Sequence, residues 1–251
     1  MKKLSALALF IFYASYLIAQ APTYMPAPPP KNKAKFKGGI MISPSVGWLQ
    51  SSIDDPRVNK ITSPNAQIGF AYGLVGDFFF NNNYGIDINP RYNGFNEQFT
   101  YTPDINKTYS VDRTVHLQYI EVPVTLKMRT NEVGYMKYFA QIGIMPAVKI
   151  GGKLDLTEYS GGTVTNSFTG LNNTNNNDLN LFMLYSVIGL GAEYNLGGST
   201  NIVGSITWNN GFTNVWNKAL NQNATPSSYS YGNTNFNTPP ESIMLNVGVL
   251  F

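Results

Sequence analysis

Cysteine is absent from the 251 residues, and histidine occurs once, at His116. Disulfide frameworks and Cys/His zinc centres are thereby excluded, and neither a cofactor nor a metal is expected. Charge is also scarce. Lys+Arg number 17 and Asp+Glu 14, together 12% of the chain, about half of the ~25% usual in a soluble domain. A net charge of +3 spread along the chain leaves no nucleic-acid footprint, so no nucleic-acid partner is expected. Beyond the first twenty residues no run of about 18 apolar residues offers a membrane-spanning helix.

Gly (23), Tyr (16), Phe (15), Pro (15) and Asn (30) take the place of the missing charge. A coiled coil would need Ala, Glu, Lys and Leu instead. A disordered chain would have few aromatics, whereas 14% of this one is aromatic.

The N-terminus sets an expectation about compartment. Lys2 and Lys3 precede an apolar stretch from Leu4 to Ile18, and small residues follow at Ala19 and Ala21. That order is a secretory signal peptide, residues 1–19, cleaved after Ala19. Residues 20–37 are read as a periplasmic extension. Pro22 to Pro30 is a stiff polyproline-type spacer, and Lys31, Lys33, Lys35 and Lys37 follow it. That basic run is either a solvated collar or a contact with anionic headgroups.

From Gly38 to Phe251 the apolar pattern has a period of two, the signature of strands with one polar and one apolar face. The last segment is the most regular. Ile243, Leu245, Val247, Val249 and Phe251 alternate with Met244, Asn246, Gly248 and Leu250. Similar alternation marks Ile68–Phe78, Tyr84–Arg91, Ile120–Arg129, Lys137–Lys149 and Phe182–Tyr194. With Ile40–Trp48 and Ile202–Phe212 the count is eight strands, several of them able to reach the 9–11 residues that a tilted membrane strand needs.

One face of these strands is apolar, and the other carries Gly, Asn, Gln and the strand charges. A soluble sandwich would place Lys and Glu on its outer face. The connections alternate in length. Asn81–Asn83, Thr130–Val133 and Leu196–Ser199 are short, while Leu49–Asn65, Asn96–Ser110, Gly151–Asp178 and Asn214–Glu241 are long. Short periplasmic turns and long extracellular loops characterise membrane barrels. Aromatic residues fall near both strand ends, Phe79, Phe80, Tyr84, Tyr135 and Tyr194 at the short turns, Trp48, Tyr92, Phe95, Trp208 and Phe212 at the long loops. Such girdles sit at headgroup level. The fold expected is all-β, an eight-stranded antiparallel up-and-down transmembrane β-barrel in the outer membrane of a Gram-negative bacterium, its N-terminus periplasmic.

Two features complicate the pattern. Pro44, Pro90, Pro123 and Pro146 fall within strands, where each removes a ladder donor, so bulges or kinks are expected there. Val115, Leu117 and Tyr119 are apolar on odd numbers, then Ile120 onward on even ones, which places a bulge near Tyr119.

The block Tyr119-Ile120-Glu121-Val122-Pro123-Val124-Thr125-Leu126-Lys127, followed by Tyr138-Phe139-Ala140-Gln141-Ile142-Gly143, resembles the core of PorT-like outer-membrane β-barrel proteins of Bacteroidetes. Tyr119, Glu121 and Pro123 carry that motif. The resemblance implies an outer-membrane barrel and, for some members, a part in type IX secretion and gliding. The terminal Phe251, with Leu245, Val247 and Val249, resembles the assembly signal of bacterial outer-membrane barrels, which makes lipid and the barrel-assembly machinery the expected partners.

The inward face carries Asp77, Asp87, Glu121 and Glu193 with Arg91, Lys127, Lys137 and Lys149. Four charges of each sign in a narrow lumen are expected to pair and plug it. His116, near Asp112 and Thr114, is a weak imitation of a hydrolase triad. Asp54-Asp55 and Asp155/Glu158 lack the ligand density of a calcium loop. The Asn-rich tracts Asn172–Asp178 and Asn221–Asn237 suit solvated loops or adaptable contacts. The reading is therefore a non-enzymatic barrel that holds partners, among them secretion components. The alternatives are a narrow small-solute conduit and a soluble lipocalin-type barrel.

Overall fold

The computed structural model describes residues 35–49, 52–53, 60–62, 66–102, 109–172, 180–215, 236–237 and 239–251. The signal peptide, Lys31, Lys33, Asp54-Asp55 and nearly all of both Asn-rich tracts lie outside them.

Fourteen strands are present among these residues. They are β1 (Lys35–Leu49), β2 (Ser52–Ile53), β3 (Lys60–Thr62), β4 (Gln67–Phe79), β5 (Tyr84–Ile88), β6 (Arg91–Thr102) and β7 (Tyr109–Glu121), followed by β8 (Val124–Arg129), β9 (Met136–Ser160), β10 (Thr163–Asn172), β11 (Phe182–Gly197), β12 (Thr200–Gly211), β13 (Phe236–Asn237) and β14 (Pro240–Leu250). Twelve of them share one antiparallel sheet. The sheet closes because β14 pairs both with β12 and with β1. Around the ring β5 and β6 act as one strand interrupted at Pro90, and β7 and β8 as one interrupted at Pro123. The ring therefore has eight staves, as the alternation predicts. Its first stave begins at Lys35, three residues before the expected boundary at Gly38.

Side chains alternate as lipid demands. On β4, Ala71, Val75, Asp77 and Phe79 are buried in the interior, while Ile68, Phe70, Tyr72, Leu74 and Phe78 point outward and are exposed. Among the described residues, 18 hydrophobic and 18 polar or charged residues are buried, and 37 large hydrophobic side chains are exposed. A contiguous apolar exterior of that extent has no place in water. In a bilayer it is the face that meets the solvent, and the soluble lipocalin-type alternative is overturned.

Glycine lets the sheet curl this tightly. A Cβ on Gly73 would lie 2.2 Å from the Pro90 carbonyl oxygen, and one on Gly143 would lie 2.1 Å from that of Val124. The inner faces of adjacent staves touch backbone to backbone at these points.

The prolines correct the expectation of bulges. Pro90 and Pro123 cannot donate, yet their carbonyls accept from Leu74 N (2.9 Å) and Asn89 N (3.0 Å), so the staves continue. Odd residues stay inward on both sides of each proline, from Asp87 to Arg91 and from Glu121 to Thr125. Pro44 and Pro146 sit inside unbroken strands. The phase change also differs from expectation. Strand β7 keeps Val115, Leu117, Tyr119 and Glu121 on one inward face. The extra residue is Ile150 of the neighbouring β9, since Gln118 pairs with Gly151 and Tyr119 with Lys149. Odd positions of β9 face inward up to Lys149; beyond the bulge the buried side chains Leu156 and Glu158 are on even numbers.

Two of the expected long loops are largely strand. β6 and β7 run on to Thr102 and from Tyr109, and β9 folds back as β10 through Gly161-Gly162, both at positive φ (59° and 82°). That is the two-residue hairpin geometry in which glycine is favoured. On these extensions the outward positions become polar, with Asn96, Gln98, Asp112, Thr114, His116, Lys153 and Asp155 above the apolar Tyr92, Ile120 and Val148. The change marks where the lipid-facing band ends.

Candidate functional site

The lumen holds most of the residues singled out from the sequence, in two dissimilar halves. At the short-turn end Lys127 bridges Asp77 and Glu193, each at 2.7 Å, with side chains no more than 3% exposed. Its ammonium also lies 4.3 Å from the centre of the Phe139 ring. A single buried cation shared by two carboxylates, backed by an aromatic face, is a compact way to keep charge out of lipid. Arg129 closes the end below it. The guanidinium lies 3.4 Å over the Phe79 ring, 3.5 Å from Glu193, and donates through Nε to the Asn82 carbonyl at 2.7 Å. Asn83 returns a bond from Nδ2 to the Arg129 carbonyl, 2.9 Å, tying the turn to the plug.

Midway along the lumen a second pair stands alone. Arg91 Nε donates to Glu121 at 2.8 Å, and Asn93 Nδ2 donates to the other carboxylate oxygen at 2.7 Å. The remaining arginine edge meets sulfur, with Nη2 3.1 Å from Met145 Sδ and 3.0 Å from Met244 Sδ. Two cavities of about 20 Å³ flank this layer. One is bordered by Asp87, Asn89, Lys127 and Asn209, the other by Ser45, Asn93, Glu121 and Glu241. Each has room for about one water-sized occupant, so the lumen is filled rather than open.

Toward the long hairpins the interior is apolar. Val115, Leu117, Tyr119, Met145, Ala147, Met183, Tyr185, Val187 and Val215 form one buried cluster. Tyr119 stacks on Phe95 at 5.5 Å between ring centres. Val215 is fully buried, and its carbonyl accepts from Asn180 N at 2.8 Å, so the segment after β12 folds over this end.

Of the eight charges expected in the lumen, six are buried there: Asp77, Asp87, Arg91, Glu121, Lys127 and Glu193. Lys137 lies at the rim instead, paired with Glu132 at 2.9 Å, and Lys149 stands half-buried opposite Tyr119 in the other half. The Glu132 carboxyl is held below its usual range, first by the hydrogen bond from Lys137. Arg129 is the member of the network that charge counting missed, although it follows Lys127 by two and so shares its face. The expected girdles need a similar correction. Phe79 is buried under Arg129 and Phe95 packs on Tyr119, whereas Phe80, Tyr84, Tyr135, Tyr194, Trp208 and Phe212 are exposed on the outside. Tyr119, Glu121 and Pro123 line the interior in sequence, and Leu245, Val247 and Phe251 face outward.

On the hairpin extension, His116 is held at both ring nitrogens. Nδ1 lies 2.6 Å from Asn96 Oδ1, and Nε2 lies 3.0 Å from Asp155 Oδ2. Asp155 also accepts from Gly170 N at 2.7 Å, which fastens β10 to β9. That backbone donor, then His116, holds the Asp155 carboxyl below the ordinary aspartate range. Asp112 is engaged elsewhere, accepting from Thr100 at 2.6 Å, and no triad forms. Glu158 is buried and accepts from Asn166, so it does not join Asp155 in a cation site.

A closed ring of eight staves, an apolar exterior and a charged, filled lumen agree with the comparison of families. The family described as "Outer membrane protein beta-barrel domain" matches residues 27–240. The chain belongs to that family. Among solved structures this family member resembles Ail of Yersinia pestis at 14% identity, covering 86% of this chain and 99% of that one, with a TM-score of 0.37. It resembles OprG of Pseudomonas aeruginosa at 13% identity, with 88% and 98% covered and a TM-score of 0.42. The outer membrane protease OmpT of Escherichia coli is similar at 9% identity, with 92% and 99% covered and a TM-score of 0.35. Likeness at this level carries no argument about activity. No curated protein matches the chain.

Proposed function

We propose that this barrel is a non-enzymatic structural or partner-binding component of a Gram-negative outer membrane, with its short turns and N-terminus in the periplasm. The observation that carries the reading is the continuation of β6, β7, β9 and β10 past the apolar band as a polar sheet, over a lumen that is filled. The sheet offers contact surface where a pore would offer a channel. The placement of His116 supports the non-enzymatic reading, because its ring is held between Asn96 and Asp155. The resemblance around Tyr119, Glu121 and Pro123 makes secretion or gliding components the first partners to seek.

A photo-reactive residue at the exposed Val164 or Phe168 of β10, in native outer membranes, tests this. Cross-links to a distinct protein are expected, and they should vanish when β10 is replaced by a short turn. Recovery of the barrel alone would count against it. The two stacked cavities favour a narrow conduit as the second reading. Planar-bilayer recordings decide between them, because reproducible conductance steps would overturn the closed lumen.

A further inference from the structure

Two acids face each other in the short-turn half of the lumen. The register of β4 on β5 sets Asp77 directly across from Asp87, and both side chains are buried in the interior. Their carboxyl groups are hydrogen-bonded to one another. An ionised carboxylate can only accept, so a bond between two carboxyl groups requires one proton held by the pair. Without that proton, two negative charges would stand side by side in a medium that solvates neither.

The neighbours say which acid carries it. Lys127 Nζ lies 2.7 Å from Asp77 Oδ2 and 2.7 Å from Glu193 Oε1, so Asp77 is the member that keeps its negative charge. Asp77 Oδ1 is buried and receives no N–H or hydroxyl donor among the described residues. It is the acceptor left open to a proton on Asp87. Arg91, on the same stave as Asp87, is spent on Glu121, and Lys127 on its two acids, so neither cation is paired with Asp87. The other charges around this corner are Arg129 of β8, 3.5 Å from Glu193, and Lys37 of β1, half-buried across from Asp77. Thr125 of β8 stands opposite Asp87 on its other side. From β9, β12 and β14 only uncharged side chains border the adjoining cavity, among them Gln141, Asn209 and Asn246.

We propose that Asp77 and Asp87 hold a single proton between them in the folded barrel, carried on Asp87, and that this proton locks the short-turn end of the plug. Its removal charges Asp87 and sets it competing with Asp77 and Glu193 for Lys127, the cation that ties β4, β8 and β11 together. The lock therefore loosens in alkali. A free aspartate is ionised at neutral pH, so the folded barrel binds one proton more than the unfolded chain, and its stability falls as pH rises.

Infrared spectroscopy of the full barrel in lipid vesicles at neutral pH reads the proton directly. The C=O stretch of an un-ionised carboxylic acid is expected, and it should move when the aspartates carry ¹³C at the side-chain carboxyl. D87N, whose amide donates to Asp77 without titrating, should lose that band. Its urea-unfolding midpoint should stay level from about pH 6 to about pH 9, below the ordinary range of tyrosine and lysine, while that of the unmodified barrel shifts to lower urea. A neutral-pH spectrum of the unmodified barrel without a carboxylic acid band would overturn the shared proton. So would a band that ignores labelled aspartate or survives in D87N, or a midpoint with the same pH response in both barrels.

Discussion

The two halves of the lumen solve one problem by opposite means. Both must fill a space too narrow for solvent. The short-turn half fills it with paired charge around Lys127 and Arg129, with the Arg91–Glu121 pair midway, and the long-hairpin half with Val115, Leu117, Tyr119, Met183 and Tyr185. The apolar half resembles the core of a soluble protein and tolerates the loss of a group in proportion to its size. The charged half is brittle, because each cation holds more than one neighbour in place. Pairing inside a barrel thus confers specificity of register at the risk of large single-site losses.

Five outcomes test this contrast, in order of decreasing size. Lys127→Met leaves Asp77 and Glu193 buried without their shared cation and should cost about 3–5 kcal/mol. Urea unfolding from lipid vesicles, followed by tryptophan fluorescence, measures it; a loss under about 1 kcal/mol would show that the charges are solvated after all. Leu117→Ala in the apolar half should cost about 2–4 kcal/mol, with no dependence on salt. Gly143→Ala should cost about 1–3 kcal/mol, because its methyl group meets the Val124 carbonyl. Replacing Arg91 and Glu121 together by apolar residues should be far milder than replacing Arg91 alone, and a double-mutant cycle reports the difference.

The smallest effect belongs to the exposed clasp on the extension. The Asp155 carboxyl is depressed in the folded state, so its contribution is present above the ordinary aspartate pKa. It is lost as pH falls through the depressed value. Protection of the Gly170 amide, its intrinsic exchange rate divided by its observed rate at each pH, should therefore fall in acid, well below neutrality, and Asp155→Asn should abolish most of that pH dependence. Unchanged protection at Gly170 across the acid range would show that the clasp is held by the ladder alone.

Much of this was legible in sequence, for physical reasons that the residues make plain. Alternation fixes which face meets lipid, because a β-strand has no other period. Ile243 to Phe251 and the polar residues between them needed no tertiary information. The inward Asp77, Asp87, Glu121 and Glu193 followed from the same count. What failed was geometry set by a neighbour. The bulge belongs to Ile150, yet its trace in the sequence was the apolar run Val115, Leu117, Tyr119, which fills the interior without any slip. Apolar character alone cannot say whether a side chain faces lipid or a dry lumen, and Phe79 and Phe95 were misplaced for that reason. The β9–β10 hairpin has a visible signal in Gly161-Gly162, followed by the alternating Thr163, Val164 and Thr165, that a long low-charge stretch obscures.

The seam of the ring lies between β1 and β14, where Ser43 donates to Asn246 across 203 residues of chain. Phe251 N completes the seam by donating to the Gly38 carbonyl at 2.8 Å. The first stave made must therefore wait for the last before either has both of its neighbours. Closure of such distant ends is slow, and an unclosed sheet has two sticky edges in the meantime. Assembly of this barrel is thus a late, nearly all-or-none event. A chain truncated by one stave should linger as an adhesive intermediate, instead of settling into a smaller version of the same fold.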